Sequence, residues 1–166
     1  MAPIGAPISS ERVDSGWRQL EETQFQTALI AVVDDDKWIR NSLQRFLKSA
    51  GFRVETFGSA EDYLRYGGGN KAACMLLDVR LPGMNGFDLV RRLATEQNRL
   101  PIVFMSARDE PIIRSRALEV RAIGFLSKPM SEESLLEAVN LALKRAQRDP
   151  EESYTFKSAR SIDRTL

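Results

Sequence analysis

Five short runs of mainly apolar residues, spaced by longer mixed segments, set the rhythm of this chain. They are Ala28–Val33, Arg53–Phe57, Ala73–Leu77, Ile102–Met105 and Ala122–Leu126. Each has the length of a strand, and the inner ones are apolar almost throughout, as strands buried on both faces are. Between them apolar positions recur at helical spacing. Ile39, Leu43, Phe46, Leu47 and Ala50 form one stripe, with Gly51 as its stop. Ser59 is placed to cap a helix holding Tyr63 and Leu64, and Gly67 to Asn70 reads as a loop. Phe87, Val90 and Leu93 mark a third helix. A fourth, basic helix runs from about Glu110 to Arg121, and Ser131 caps a fifth with Leu135, Val139 and Leu143 inward. Five strand–helix repeats with right-handed crossovers predict a doubly wound α/β fold, a parallel sheet covered on both faces.

Residues 28–148 hold this pattern. Residues 1–27 are polar and carry Pro3 and Pro7, so they read as a flexible tail, with Trp17, Leu20 and Phe25 as a weak stripe on a short helix from Ser15. Residues 149–166 are polar and aperiodic, a tail or the start of a linker.

Charge narrows the function. The 24 basic and 23 acidic side chains nearly cancel, so no global pull toward nucleic acid or anionic membrane is expected. No apolar stretch approaches a membrane span. The single cysteine, Cys74, lies inside an apolar run and reads as a small buried hydrophobe; a chain without a disulfide fits the cytoplasm.

Four of the five runs end on a reactive polar residue: Asp34 and Asp35, Asp78, Ser106 and Lys128. In an open parallel sheet, ligands bind beyond the carboxyl ends of the strands, where the winding order switches. Taken alone, the triplet Asp34–Asp36 can be a helix-capping cluster and Asp78 a turn former. Taken together they converge. Two like charges about 4 Å apart repel by about 4 kcal/mol at the effective dielectric of a protein surface. Either a carboxylate is protonated, or Lys128 compensates, or a hard divalent cation such as Mg²⁺ binds.

The motifs Val33-Asp-Asp-Asp36, Leu77-Asp-Val-Arg-Leu-Pro-Gly-Met-Asn-Gly86, Met105-Ser-Ala107 and Phe125-Leu-Ser-Lys-Pro129 resemble the receiver domain of two-component response regulators. Phe57-Gly-Ser-Ala-Glu-Asp-Tyr-Leu64 is similar to the FixJ-like branch. The resemblance implies a flavodoxin-like (βα)5 receiver fold with strand order 2-1-3-4-5. It implies that Asp78 accepts a phosphoryl group from a histidine kinase or phosphotransfer protein. Mg²⁺ would be held by Asp34, Asp35, Asp78 and the backbone carbonyl of Arg80. Ser106 and Lys128 would bind the phosphoryl oxygens, with Lys128–Pro129 cis, and Phe125 would change rotamer as Ser106 moves. The face of the fourth helix, last strand and last helix would then bind a partner or a second copy. Such a chain is a phosphoacceptor that assists its own reaction rather than a dedicated enzyme.

The sequence departs from that branch after Ser106, where Ala107-Arg-Asp109 replaces Gly-His-Gly, and at Arg121, where many receivers have glycine. Arg80 and Arg108 are either pocket guanidiniums or solvated surface arginines. Trp38 either reports on the acidic loop or packs partly on the first helix. The alternatives are a receiver cut from a transcriptional regulator whose DNA-binding domain lies elsewhere, and, more remotely, a Mg²⁺-dependent phosphatase. The phosphatase reading wants a second Asp two residues after the nucleophile, where this chain has Arg80. A flavin binder would have its phosphate repelled by the acidic loop.

Overall fold

The computed structural model describes residues 28–66 and 71–148; both tails and the expected Gly67–Asn70 loop lie outside them. The strands are β1 (Leu29–Val33), β2 (Arg53–Phe57), β3 (Cys74–Asp78), β4 (Ile102–Ser106) and β5 (Gly124–Ser127). They alternate with helices α1 (Lys37–Ser49), α2 (Ala60–Tyr66), α3 (Gly86–Thr95), α4 (Pro111–Glu119) and α5 (Glu132–Arg148). All pairings are parallel and the order is β2-β1-β3-β4-β5, as expected.

The three central strands are buried at every position, whereas edge strand β2 alternates exposed and buried. That contrast explains the near-continuous apolar runs. Alternate residues of one strand feed two separate cores. Ala31, Val33, Met75, Leu77 and Phe104 meet α2, α3 and α4 through Tyr63, Phe87, Leu93 and Ile113. Ile30, Val32, Leu76 and Met105 meet α1 and α5 through Leu43, Leu47, Leu135, Val139 and Leu143. The apolar area removed from water on both faces drives this arrangement.

Local signals set the boundaries. Ser59 Oγ accepts from the Asp62 N–H at 3.0 Å, Asn85 Oδ1 from the Asp88 N–H at 3.0 Å, and Ser131 Oγ from the Ser134 N–H at 3.1 Å. Gly51, at φ 96°, ends α1. The basic helix α4 is shorter than its sequence suggests. It stops at Glu119, and Arg121 turns left-handed at φ 54°. A side chain costs about 1–2 kcal/mol in that region, part of which a glycine returns through its looser unfolded chain. Arg121→Gly should therefore raise the unfolding free energy by up to about 1 kcal/mol, seen as a later urea midpoint at unchanged slope. An earlier midpoint would show that Arg121 is held by more than its backbone.

Trp38, the second residue of α1, is 83% exposed and takes no part in the core that Leu43 and Leu47 of that helix enter. Cys74 is fully buried, and burial pushes its thiol up to about 12. Iodoacetamide should leave the native thiol unlabelled over the time that labels the urea-unfolded chain to completion. Fast native labelling would mean that β3 opens readily. Among the described residues no helix is long and apolar enough to cross a membrane.

Candidate phosphoacceptor site

The acidic triplet after β1 divides its labour. Asp36 caps α1, its Oδ1 accepting from the N–H groups of Trp38 at 2.8 Å and Ile39 at 3.3 Å. Asp34 turns inward and is fully buried. Its N–H extends the β1–β2 ladder to the Phe57 carbonyl at 3.1 Å, and its Oδ1 accepts from the Asp36 N–H at 2.9 Å. Asp35 stays exposed. Arg40, one turn into α1, donates to the Asp34 carbonyl at 2.6 Å and so fixes the strand end.

Asp78 is the last residue of β3, beside β1 in the sheet, and is 6% exposed. Its Oδ1 accepts from the Arg80 N–H at 3.0 Å. Carboxylate oxygens of Asp34, Asp35 and Asp78 all lie within 4.8 Å of one another. Lys128 reaches across from the loop after β5, its Nζ donating to Asp34 Oδ2 at 2.5 Å and Asp78 Oδ2 at 3.0 Å. The Lys128 N–H meets the Ser106 carbonyl at 2.7 Å, and the Lys128–Pro129 peptide is cis. Ser106 ends β4 and is 1% exposed, its Oγ accepting from the Arg108 N–H at 3.1 Å. That bond leaves the hydroxyl proton free for another acceptor.

The electrostatics follow from burial against pairing. Burial pushes the Asp78 carboxyl above its usual range, outweighing the Arg80 N–H and the Lys128 ammonium that pull it down. Burial would lower Lys128, but bonds and charge from Asp78 and Asp34 prevail and its ammonium is held above the ordinary value. Three carboxylates thus face one ammonium. This set of hard oxygen donors, open to solvent at Asp35, suits Mg²⁺.

The loop after Asp78 is built by contacts the sequence only half discloses. Gly83 adopts φ 74°, and the Met84 N–H beside it donates to Glu61 Oε1 of α2 at 2.8 Å. Gly86 serves close approach instead: a Cβ there would sit 2.5 Å from the Asp78 carbonyl oxygen. Arg40 and Glu61 position the site yet carry no sequence signal beyond their charge. Arg108 points its guanidinium at Glu110, 3.5 Å away, and Arg80 is exposed, so the solvated reading fits both arginines. Phe125, partly buried on β5, lies under the Arg114 guanidinium at 4.7 Å.

Comparison with known proteins points the same way. A family model described as response regulator receiver domain matches residues 30–140. Nodulation protein W of Bradyrhizobium diazoefficiens is 36% identical over 152 residues, 90% of this chain and 67% of that protein. Transcriptional regulatory protein FixJ of the same organism is 34% identical over 118 residues, 71% of this chain and 58% of that one. Among solved structures, response regulator StyR superposes with a TM-score of 0.68 at 39% identity, over 73% of this chain and 61% of StyR. The chain therefore spans 58–67% of the length of these two curated relatives.

Proposed function

This chain belongs to the response regulator receiver family, with FixJ-like relatives, and we propose that its Asp78 accepts a phosphoryl group from the phosphohistidine of a sensor kinase. Receivers of this family are signalling domains that work with histidine kinases, not dedicated enzymes. One observation carries the reading: three carboxylates converge within 4.8 Å while a single lysine bonds two of them. That is a nucleophile with its counter-charge already in place.

In the proposed step an Asp78 carboxylate oxygen attacks phosphorus, a P–O bond forms, and the P–N bond to the donor imidazole breaks. Asp34, Asp35, Asp78 and the Arg80 carbonyl would hold Mg²⁺, which would supply charge neutralisation for the transfer. Lys128, whose ammonium is held above its ordinary value, would take one phosphoryl oxygen, and the Ser106 hydroxyl would donate to another. The product carries roughly two negative charges and strong acceptor oxygens. Drawing Ser106 toward it moves the loop before α4 and alters the α4-β5-α5 face, the proposed contact for a partner or a second copy.

Intact mass after incubation with Mg²⁺ and acetyl phosphate tests this. The expected result is a gain of one phosphoryl group that EDTA prevents; no gain from acetyl phosphate or from any histidine kinase would overturn the assignment.

A second reading is supported by the relatives' greater length and by the name of FixJ, a transcriptional regulator. In that reading this receiver controls a DNA-binding output domain carried elsewhere in a longer gene product. Duplex-DNA binding by the full gene product, gained on phosphorylation and lacking in this chain, would establish it.

A further inference from the structure

Arg114 of α4 ties three elements together. Its Nε and Nη2 donate to the two carboxylate oxygens of Asp109, the Nη2–Oδ2 distance being 2.8 Å. The Ser127 hydroxyl donates to the same Oδ2 at 3.1 Å and lies 3.4 Å from Arg114 Nη2. The guanidinium carbon stands 4.7 Å from the centre of the Phe125 ring. Asp109 belongs to the loop that leaves Ser106, while Ser127 is the register partner of Ser106 on β5. Arg116, two residues along, faces the other way, over Phe87.

We propose that Asp109, Arg114 and Ser127 form a latch that holds Phe125 and the Ser106 loop in their unphosphorylated arrangement, and that drawing Ser106 toward phosphorylated Asp78 works against it. This rests on the phosphoacceptor reading above. The forked guanidinium–carboxylate pair depends on coplanar alignment, so a shift of the loop carrying Asp109 breaks it. The Arg114 guanidinium also lies over one face of the Phe125 ring, so releasing the fork loosens that side of the aromatic. The carboxyl of Asp109 is held below its usual range by the Arg114 bonds, so the pair is ionised at neutral pH. Both side chains are about half exposed, 49% each, which makes the latch a set-point rather than a lock. Arg114 and Asp109 are positioning residues that act through Phe125 and Ser106.

The test places 4-fluorophenylalanine at position 125 and follows its fluorine resonance while Mg²⁺ and beryllofluoride, a phosphoryl mimic, are added. Arg114→Met keeps the stem over the ring and removes the fork; Asp109→Asn removes the charge it grips. Each should lower the midpoint of conversion about two- to fivefold, the range an exposed, well-aligned ion pair supplies. The double variant should go no further than either single one, because both break the same unit. In both, the unliganded resonance should already be displaced toward the converted position. Unchanged midpoints, or effects that multiply in the double variant, would overturn the latch. A wild-type resonance that stays in place at saturating probe overturns it too. If that wild type nevertheless gains phosphoryl mass from acetyl phosphate, the Asp78 reading survives; if it gains none, both fall.

Discussion

Asp78→Asn should end phosphoryl uptake and leave the chain folded. The amide is isosteric, and its oxygen can still accept from the Arg80 N–H that now meets Asp78 Oδ1. What it lacks is a nucleophilic oxygen. Losing the nucleophile of a group-transfer site costs about a thousandfold or more in rate, so the mass gain should disappear on the wild-type time scale. No neighbour is set to replace it: Asp34 is fully buried and engaged with Lys128 and the Asp36 N–H, and Asp35 is exposed. Stability should move the other way. The folded protein raises the Asp78 pKa, chiefly by burial, so its folding contribution is greatest when the group is neutral and is lost as pH rises through the raised value. At neutral pH without Mg²⁺, Asp78→Asn should therefore be at least as stable as wild type, the gap closing in acid. Undiminished uptake in the variant would move the acceptor to another carboxylate.

Lys128→Met should have the largest effect on stability. The Lys128 side chain is 11% exposed and the side chains of Asp34 and Asp78 that it bonds are 0% and 8% exposed, so its removal strands two buried charges. Breaking a buried ion pair from one side typically costs about 3–5 kcal/mol. Urea unfolding at neutral pH in EDTA should show a loss of about 3 kcal/mol. Acid should recover part of it, because protonating Asp78 removes one stranded charge, and Mg²⁺ should recover part by binding the folded state. In alkali the wild type should itself approach the variant. The Lys128 pKa is raised on folding, so its contribution is present below the unfolded value and lost as pH climbs through the folded one. A loss under about 1 kcal/mol would show that water, not Lys128, balances the cluster.

Much of this is legible in the residues because burial on two faces leaves a strong mark. The apolar runs of β1, β3 and β4 are unbroken since each alternate side chain enters one of two cores. The ends of those strands then announce the pocket. The triplet Asp34–Asp36 is less legible: all three positions are acidic, and only the exit direction of β1 decides which one caps α1 and which turns inward. The helical pattern of α4 runs on to Arg121, past the true end at Glu119, because nothing in an arginine announces a left-handed backbone. The Asp109–Arg114 pair cannot be read at all, since its meaning comes from Phe125 and Ser127 on the adjoining strand.

The order of the strands also bears on how the domain is made. β1 and β3 are neighbours in the sheet, and both are synthesised before β5 and the loop that carries Lys128. Their ammonium partner lies 94 positions after one and 50 after the other. A chain still emerging from the ribosome has synthesised the three carboxylates before the ammonium that pairs with two of them. On the phosphoacceptor reading proposed above, competence to receive a phosphoryl group should coincide with completion of the sheet, so half-made copies should not draw on the kinase. Ribosome-held chains ending near residue 120 should stay unphosphorylated where chains released beyond α5 are modified.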